Sequence, residues 1–120
     1  MKLLKGHPNI VKLKNIMRPS NIDNFNEVNL VLEYCTQSLT NVISNARNSY
    51  PTSKSLPIGS IKIFIYQIVK GLMYMHSRGV IHRDLKPLNV LVHDDKVLKI
   101  SDFGHSNVQV GQINKDYELT

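Results

Sequence analysis

Asn89 and Asp102 stand thirteen positions apart, and the intervening Val-Leu-Val-His-Asp-Asp-Lys-Val-Leu-Lys-Ile-Ser leaves room for little besides two short strands and a tight turn. The β-branched and apolar residues on either side favour extended backbone, and His93-Asp94-Asp95-Lys96 is turn chemistry. The spacing therefore predicts strands over 89–92 and 97–100, paired as a hairpin. Polar residues cluster at both of its ends, with His82-Arg83-Asp84-Leu85-Lys86-Pro87-Leu88-Asn89 before it and Asp102-Phe103-Gly104 after it. Whatever the fold, this hairpin carries the two clusters toward each other.

A long helix precedes the hairpin. Ile61, Ile65, Ile68, Leu72 and Met75 recur at three- and four-residue steps and predict one apolar face on a helix over 58–76. Pro57 suits its first turn and Gly79 its end. Further upstream, 11–17 and 28–34 read as strands around a turn-rich segment, and 39–46 reads as a short helix before a polar loop. Strands, a long helix and then a hairpin give an α+β chain and not alternating βαβ units.

Composition removes some functions. The net charge is +6, but the 15 basic residues are scattered with no two adjacent, which describes a solvated mixed surface and not a nucleic-acid interface. The apolar stretch 61–75 is interrupted by Lys62, Gln67 and Lys70, and it reads as too short and too polar to span a bilayer. The single cysteine, Cys35, allows no internal disulfide, and no signal peptide is readable, so an intracellular setting, cytoplasmic or nuclear, is expected.

The polar clusters suggest chemistry. Asn89 and Asp102 offer hard oxygens from two loops, which suits Mg²⁺ holding a polyphosphate. Asp84 is left to orient a hydroxyl and accept its proton, and Lys86 can offset charge on a moving phosphoryl group. Positioning and electrostatic stabilisation are most of what phosphoryl transfer requires.

His-Arg-Asp-Leu-Lys-Pro-x-Asn followed by Asp-Phe-Gly resembles the catalytic loop and magnesium motif of eukaryotic protein kinases. The resemblance implies a partial two-lobed kinase fold: a small-lobe remnant over 1–32, a hinge over 33–38, and the start of the large lobe over 39–120. It implies Asp84 as catalytic base, Lys86 beside the transferred phosphate, and Asn89 and Asp102 as magnesium ligands. ATP and Mg²⁺ would be the cofactors. Lys86 points to the serine/threonine class, whose protein substrates offer Ser/Thr hydroxyls. Arg83 resembles the arginine that grips a phosphorylated activation loop, and His82 a structural histidine. His7-Pro-Asn-Ile-Val-Lys-Leu looks like the junction after the regulatory helix, and Asn29-Leu-Val-Leu-Glu-Tyr-Cys like the fifth strand and hinge. Leu32 would then be the gatekeeper, Glu33 and Cys35 would present backbone groups to adenine, and Leu91 would lie against the other face of the ring. Gln67, Gly71-Leu72 and Gly79-Val80-Ile81 are similar to cyclin-dependent and MAP kinases, which implies an activating kinase or a regulatory subunit as partner.

The departures are as specific. The 120 residues contain no Gly-x-Gly-x-x-Gly, no paired third-strand lysine and no Ala-Pro-Glu. The expectation is a truncated product or incomplete gene model, inactive alone, with exposed strand edges and poor solubility; a non-catalytic kinase-like binding module is the alternative. His105 stands where the family usually has a hydrophobic residue, and Tyr117 and Thr120 stand where relatives are phosphorylated. Aminoglycoside- and choline-type kinases share an Asp…Asn loop, but typically have glycine at the position of Arg83 and lack Lys86-Pro87.

Overall fold

The chain is described from a computed structural model, which covers residues 2–19, 21–49, 55–93 and 96–109. Tyr117, Thr120 and the two aspartates of the hairpin turn lie outside the described residues. Strands β1 (Leu13–Met17) and β2 (Asn29–Leu32) form an antiparallel pair. β3 (Gln37–Ser38) leads directly into α1 (Leu39–Ser49), and α2 (Ile58–Ser77) follows. Then come β4 (Val80–Ile81), β5 (Val90–His93), β6 (Val97–Ile100) and β7 (Asn107–Val108). β5 and β6 pair as the expected hairpin, and β3 adds to the other edge of β5. The chain is α+β.

Two buried clusters lie around the hairpin. Leu39 and Phe64 pack with Val90, Val92 and Leu98, while Leu4, Ile10, Met75 and Val80 pack with Ile100. α2 closes both, with a contact face rotated from the expected one. Phe64, Gly71 and Met75 are buried and Ile68 and Leu72 half-buried, whereas Ile61 and Ile65 are exposed. Apolar residues occupy two adjacent stripes of this helix, so periodicity alone could not choose between them. Gly71 marks the face in use: a Cβ there would lie 2.9 Å from Ile100 Cδ1 and 3.1 Å from the Asn9 carbonyl oxygen. By length and composition α2 could cross a membrane, contrary to the expectation from residues 61–75. Its hydrogen bonds through Gln67 dock it on the hairpin within this chain. The helix stops as expected: Gly79 takes φ +68°, which a glycine adopts without strain, and its N–H donates to the His76 carbonyl at 2.9 Å. Pro57 occupies the N-cap, one position before the first turn.

The outer edge of β6 is covered by polar groups. Gln67 Oε1 accepts from the Leu98 N–H at 2.8 Å, and its Nε2 donates to the Lys96 carbonyl at 3.0 Å. Asn9 Nδ2 donates to the Leu98 carbonyl at 2.9 Å and to Gln67 Oε1 at 3.0 Å. Beyond Leu98 the backbone takes over, with Ile100 N–H donating to Asn9 O and Val11 N–H to Ile100 O, both at 2.9 Å. That use of Val11 explains why β1 starts at Leu13 and not at residue 11.

β1 and β2 lie apart from these clusters, and Ile16, Met17, Leu30, Val31 and Leu32 are exposed. The exposed strands foreseen from the sequence are thus present among the described residues.

Because the Asn9 carbonyl is backbone and cannot swing away, Gly71→Ala is expected to destabilise the chain by about 1–3 kcal/mol. A urea midpoint unchanged from wild type would contradict this packing.

His7 stacks on Tyr74 with ring centroids 4.7 Å apart and accepts the Asn9 N–H on Nδ1 at 3.1 Å. Burial, then the charges of Lys70 and Lys99, lower its pKa from 6.5. The unfolded chain therefore binds the proton more readily, so stability is complete above about pH 6.5 and is lost as pH falls through the folded-state value. The melting temperature is expected to drop between neutral and mildly acidic pH, and to drop less in His7→Gln.

Candidate active site

The loop after β4 turns twice before the hairpin. His82 is buried at 2% exposure and is held from both ring nitrogens. Asp84 N–H donates to Nδ1 at 3.3 Å, and Nε2 lies 2.8 Å from the Ser101 carbonyl. These partners require a neutral ring with its proton on Nε2. Its face meets Phe103 at 5.4 Å. Arg83 takes φ +65°, a strained conformation for a long side chain, and that turn separates a buried histidine from a solvent-facing carboxylate.

Asp84 is the centre of the loop. Lys86 Nζ lies 2.8 Å from Oδ2, and Asn89 Nδ2 donates to the same oxygen at 3.0 Å and to the Asp84 carbonyl at 2.8 Å. Asn89 is buried at 5% exposure, in a single 3₁₀ turn (Pro87–Asn89) whose proline sits at its start. The Lys86 hydrogen bond, assisted by its charge and by Asn89, holds the Asp84 pKa below 3.8.

Asp102 reaches this loop through its neighbour. Ser101 N–H donates to the Asn89 carbonyl at 2.9 Å and Ser101 Oγ to the same oxygen at 3.1 Å. Asp102 itself is left-handed, with φ +57°, and its Oδ1 accepts the Gly104 N–H at 3.4 Å. The hairpin thus ties the residue before Asp102 at one end to the Asn89 backbone at the other. Two oxygen donors alone make a poor site for a tightly caged ion. They suit Mg²⁺, which keeps waters and takes its remaining ligands from phosphates. Among the described residues no group of three His, Cys, Asp or Glu side chains could hold a metal.

The other expected site residues are elsewhere. Leu91 is half-buried in β5, opposite Lys99 of β6 and Ser38 of β3. Leu32 ends β2, opposite Leu13. The Glu33 side chain is committed to structure: Oε1 accepts from Lys12 N–H at 2.6 Å and pairs with Lys99 Nζ at 3.1 Å, and the Glu33 N–H donates to Lys12 O. Cys35 is half-buried just before β3. The Glu33–Lys99 pair and His105, whose Nδ1 is 3.8 Å from Asp84 Oδ2, were not foreseen. Both contacts join residues more than 20 positions apart, and local pattern carries no signal for that.

The loop therefore offers a carboxylate held by a lysine and a buried amide, with a second carboxylate following the hairpin. In comparison with known proteins the protein kinase domain model matches residues 1–120, and the chain belongs to the protein kinase family. It is 40% identical over 105 residues to serine/threonine-protein kinase NLK2 of Xenopus laevis, covering 86% of this chain and 22% of that protein. It is 38% identical over 124 residues to mitogen-activated protein kinase 7 of Arabidopsis thaliana, covering 100% of this chain and 32% of that protein. GLH-binding kinase 1 of Caenorhabditis elegans is 39% identical over 118 residues, covering 95% and 28%. The chain spans about a fifth to a third of the length of these relatives.

Lys86→Met is expected to raise the titration of Asp84 toward the ordinary carboxylate value near 3.8, because the first cause of its depression is removed. Carbon NMR of the Asp84 carboxyl reads the change directly. An unmoved titration would show that Lys86 does not hold this oxygen in solution.

Proposed function

We propose that this chain is the catalytic-loop portion of a protein serine/threonine kinase that moves the γ-phosphate of ATP to Ser/Thr hydroxyls of protein substrates. The observation that supports it most is the placing of Asp84, Lys86 and Asn89 in one hydrogen-bonded loop tied to Asp102 through Ser101. Asp84 is the base: Oδ2 is anchored by Lys86 and Asn89, which fixes how the carboxylate faces an incoming hydroxyl. The hydroxyl proton passes to Asp84 as its oxygen bonds the γ-phosphorus and the bond to ADP breaks. Asn89 and Asp102 would hold magnesium, which supplies charge neutralisation on the phosphates when bound. Lys86 is near enough to share that task. His82 takes no part in proton transfer, since both its nitrogens are engaged in positioning the loop.

The hinge reading is carried over in the same way. The Glu33 and Cys35 backbones and Leu91 would receive adenine, and an activating kinase or regulatory subunit would govern the site. The whole would act inside the cell, in cytoplasm or nucleus. The alternative reading is a non-catalytic kinase-like module that acts by binding. On our reading the 120-residue chain by itself turns over no ATP.

The deciding assay is magnesium-dependent transfer from γ-labelled ATP to Ser/Thr acceptor peptides, run on the protein that the transcript encodes, whatever its length. Asp84→Asn is expected to reduce the rate by about 10²-fold or more while leaving the fold intact. Asp102→Asn should do likewise and weaken the magnesium dependence. Absence of transfer in the wild type would leave the binding-only reading standing.

A further inference from the structure

Lysines far apart in the sequence meet along one edge of β1. A cleft of about 790 Å³ runs beside this strand, lined by apolar Leu4, Leu13 and Ile16 and by Lys5, Lys12, Lys14 and Lys99. Leu13, Lys14, Asn15 and Ile16 line it in unbroken succession. Side chains of a strand alternate between its two faces, so a cleft that meets four successive residues follows an edge. β2 occupies the other edge of β1, and among the described residues no strand lies on this one. The Ile16 N–H is held by the side-chain carbonyl of its neighbour Asn15 at 2.9 Å, an exposed contact that the carbonyl of an incoming strand can replace.

Charge decides what can pair there. Glu33 is the one acid among the described residues that line the cleft, and it is committed within the chain: Oε1 accepts the Lys12 N–H at 2.6 Å and pairs with Lys99 Nζ at 3.1 Å. Lys5, Lys12 and Lys14 are exposed, and among the described residues none of the three has an acidic partner. The excess positive charge is felt on the cleft wall by His7, whose pKa is lowered by burial and then by Lys70 and Lys99. Lysines on an open edge discourage an ordinary strand, and the same charges favour an acidic one. Nucleic acid fits less well. No arginine lines the cleft, its one aromatic ring, His7, is stacked on Tyr74, and the apolar side chains offer nothing to a phosphate backbone.

We propose that this cleft is a docking site for an acidic segment of a partner protein, which adds to the free edge of β1 as an extended strand. Its backbone pairs along β1, its Asp or Glu side chains meet Lys5, Lys12 and Lys14, and its apolar side chains cover Leu13 and Ile16. Acidic and apolar residues alternate in such a segment because a strand presents two faces. The cleft shares no residue with the loop 82–89 or with Asp102, so docking here leaves the candidate active site open.

The test is a fluorescence-anisotropy titration with a labelled peptide alternating Asp and Val, run on the protein that the transcript encodes. Saturable binding is expected, with NMR amide shifts at residues 13–16. Lys12→Glu/Lys14→Glu is expected to weaken binding at least about tenfold, and Lys12→Gln/Lys14→Gln by less. Both positions are exposed, and amide spectra unchanged elsewhere show that the variants keep the fold. No saturable binding, or equal affinity in the charge-reversed variant, overturns the proposal. Equal binding of a peptide with Gly in place of Val overturns it too, since diffuse attraction between charges would then explain the contact. An oligonucleotide that moves the same amides at lower concentration than the peptide overturns it in favour of nucleic acid. Shifts at 13–16 that follow protein concentration without peptide overturn it in favour of a second copy of the chain.

Discussion

The side chain of Gln67 stands in for a strand. A two-stranded hairpin is marginal alone, and an uncovered outer edge leaves backbone groups without partners. Gln67 supplies an acceptor to Leu98 N–H and a donor to Lys96 O, which is what a neighbouring strand would offer, and Asn9 takes the Leu98 carbonyl. The bonds to Leu98 are buried or partly buried, so they are made where water competes poorly and a missing partner would be costly, while the bond to the Lys96 carbonyl lies at the exposed end. The register of β6 against α2 follows from this pairing. So does the position of Ser101 and Asp102 at its end. The candidate site is therefore held by a polar contact on the far side of the hairpin, well away from any residue with a chemical role.

The link from hairpin to loop is equally economical. Ser101 uses all three of its polar groups on the loop 82–89: N–H and hydroxyl on the Asn89 carbonyl, and its own carbonyl on His82. His82 passes the constraint to the Asp84 N–H, and Asn89 passes it to the Asp84 carbonyl and carboxylate. Asp84 is thus fixed by backbone and side chain from two directions, although its side chain remains 27% exposed. Strain is confined to single residues. Arg83 and Asp102 adopt positive φ at the points where the loop must turn a side chain outward, and the surrounding hydrogen bonds hold them there.

Much of this was legible in the residues. The hairpin could be read from its length, because the twelve residues between two polar clusters leave room for little besides two short strands and a turn. The end of α2 could be read from Gly79, and the clustering of Asp84, Lys86, Asn89 and Asp102 from their types and order. The packed face of α2 could not, because Ile58, Ile61, Ile65 and Val69 form a second apolar stripe beside the true one. The residues that distinguish the two are Gly71 and Gln67, and neither is apolar: one permits close approach of the Asn9 carbonyl, and the other completes the sheet edge. The pairing of β4 with β7 was also hidden, since two-residue strands leave no periodicity to detect.

His105 belongs to the same hidden class, with a difference. Its departure from the family pattern was visible as a residue type, but the consequence depends on where the Asp102 turn delivers it. A hydrophobic residue at that position would leave Oδ2 of Asp84 with Lys86 and Asn89 alone. A histidine brings a ring nitrogen within 3.8 Å, and Arg83 secures the backbone that carries it. The loop 82–89 thereby holds the His105 carbonyl with Arg83, and the next residue, Asp84, lies 3.8 Å from the His105 ring. Two adjacent residues, Arg83 and Asp84, join the segment after the hairpin to the loop before it.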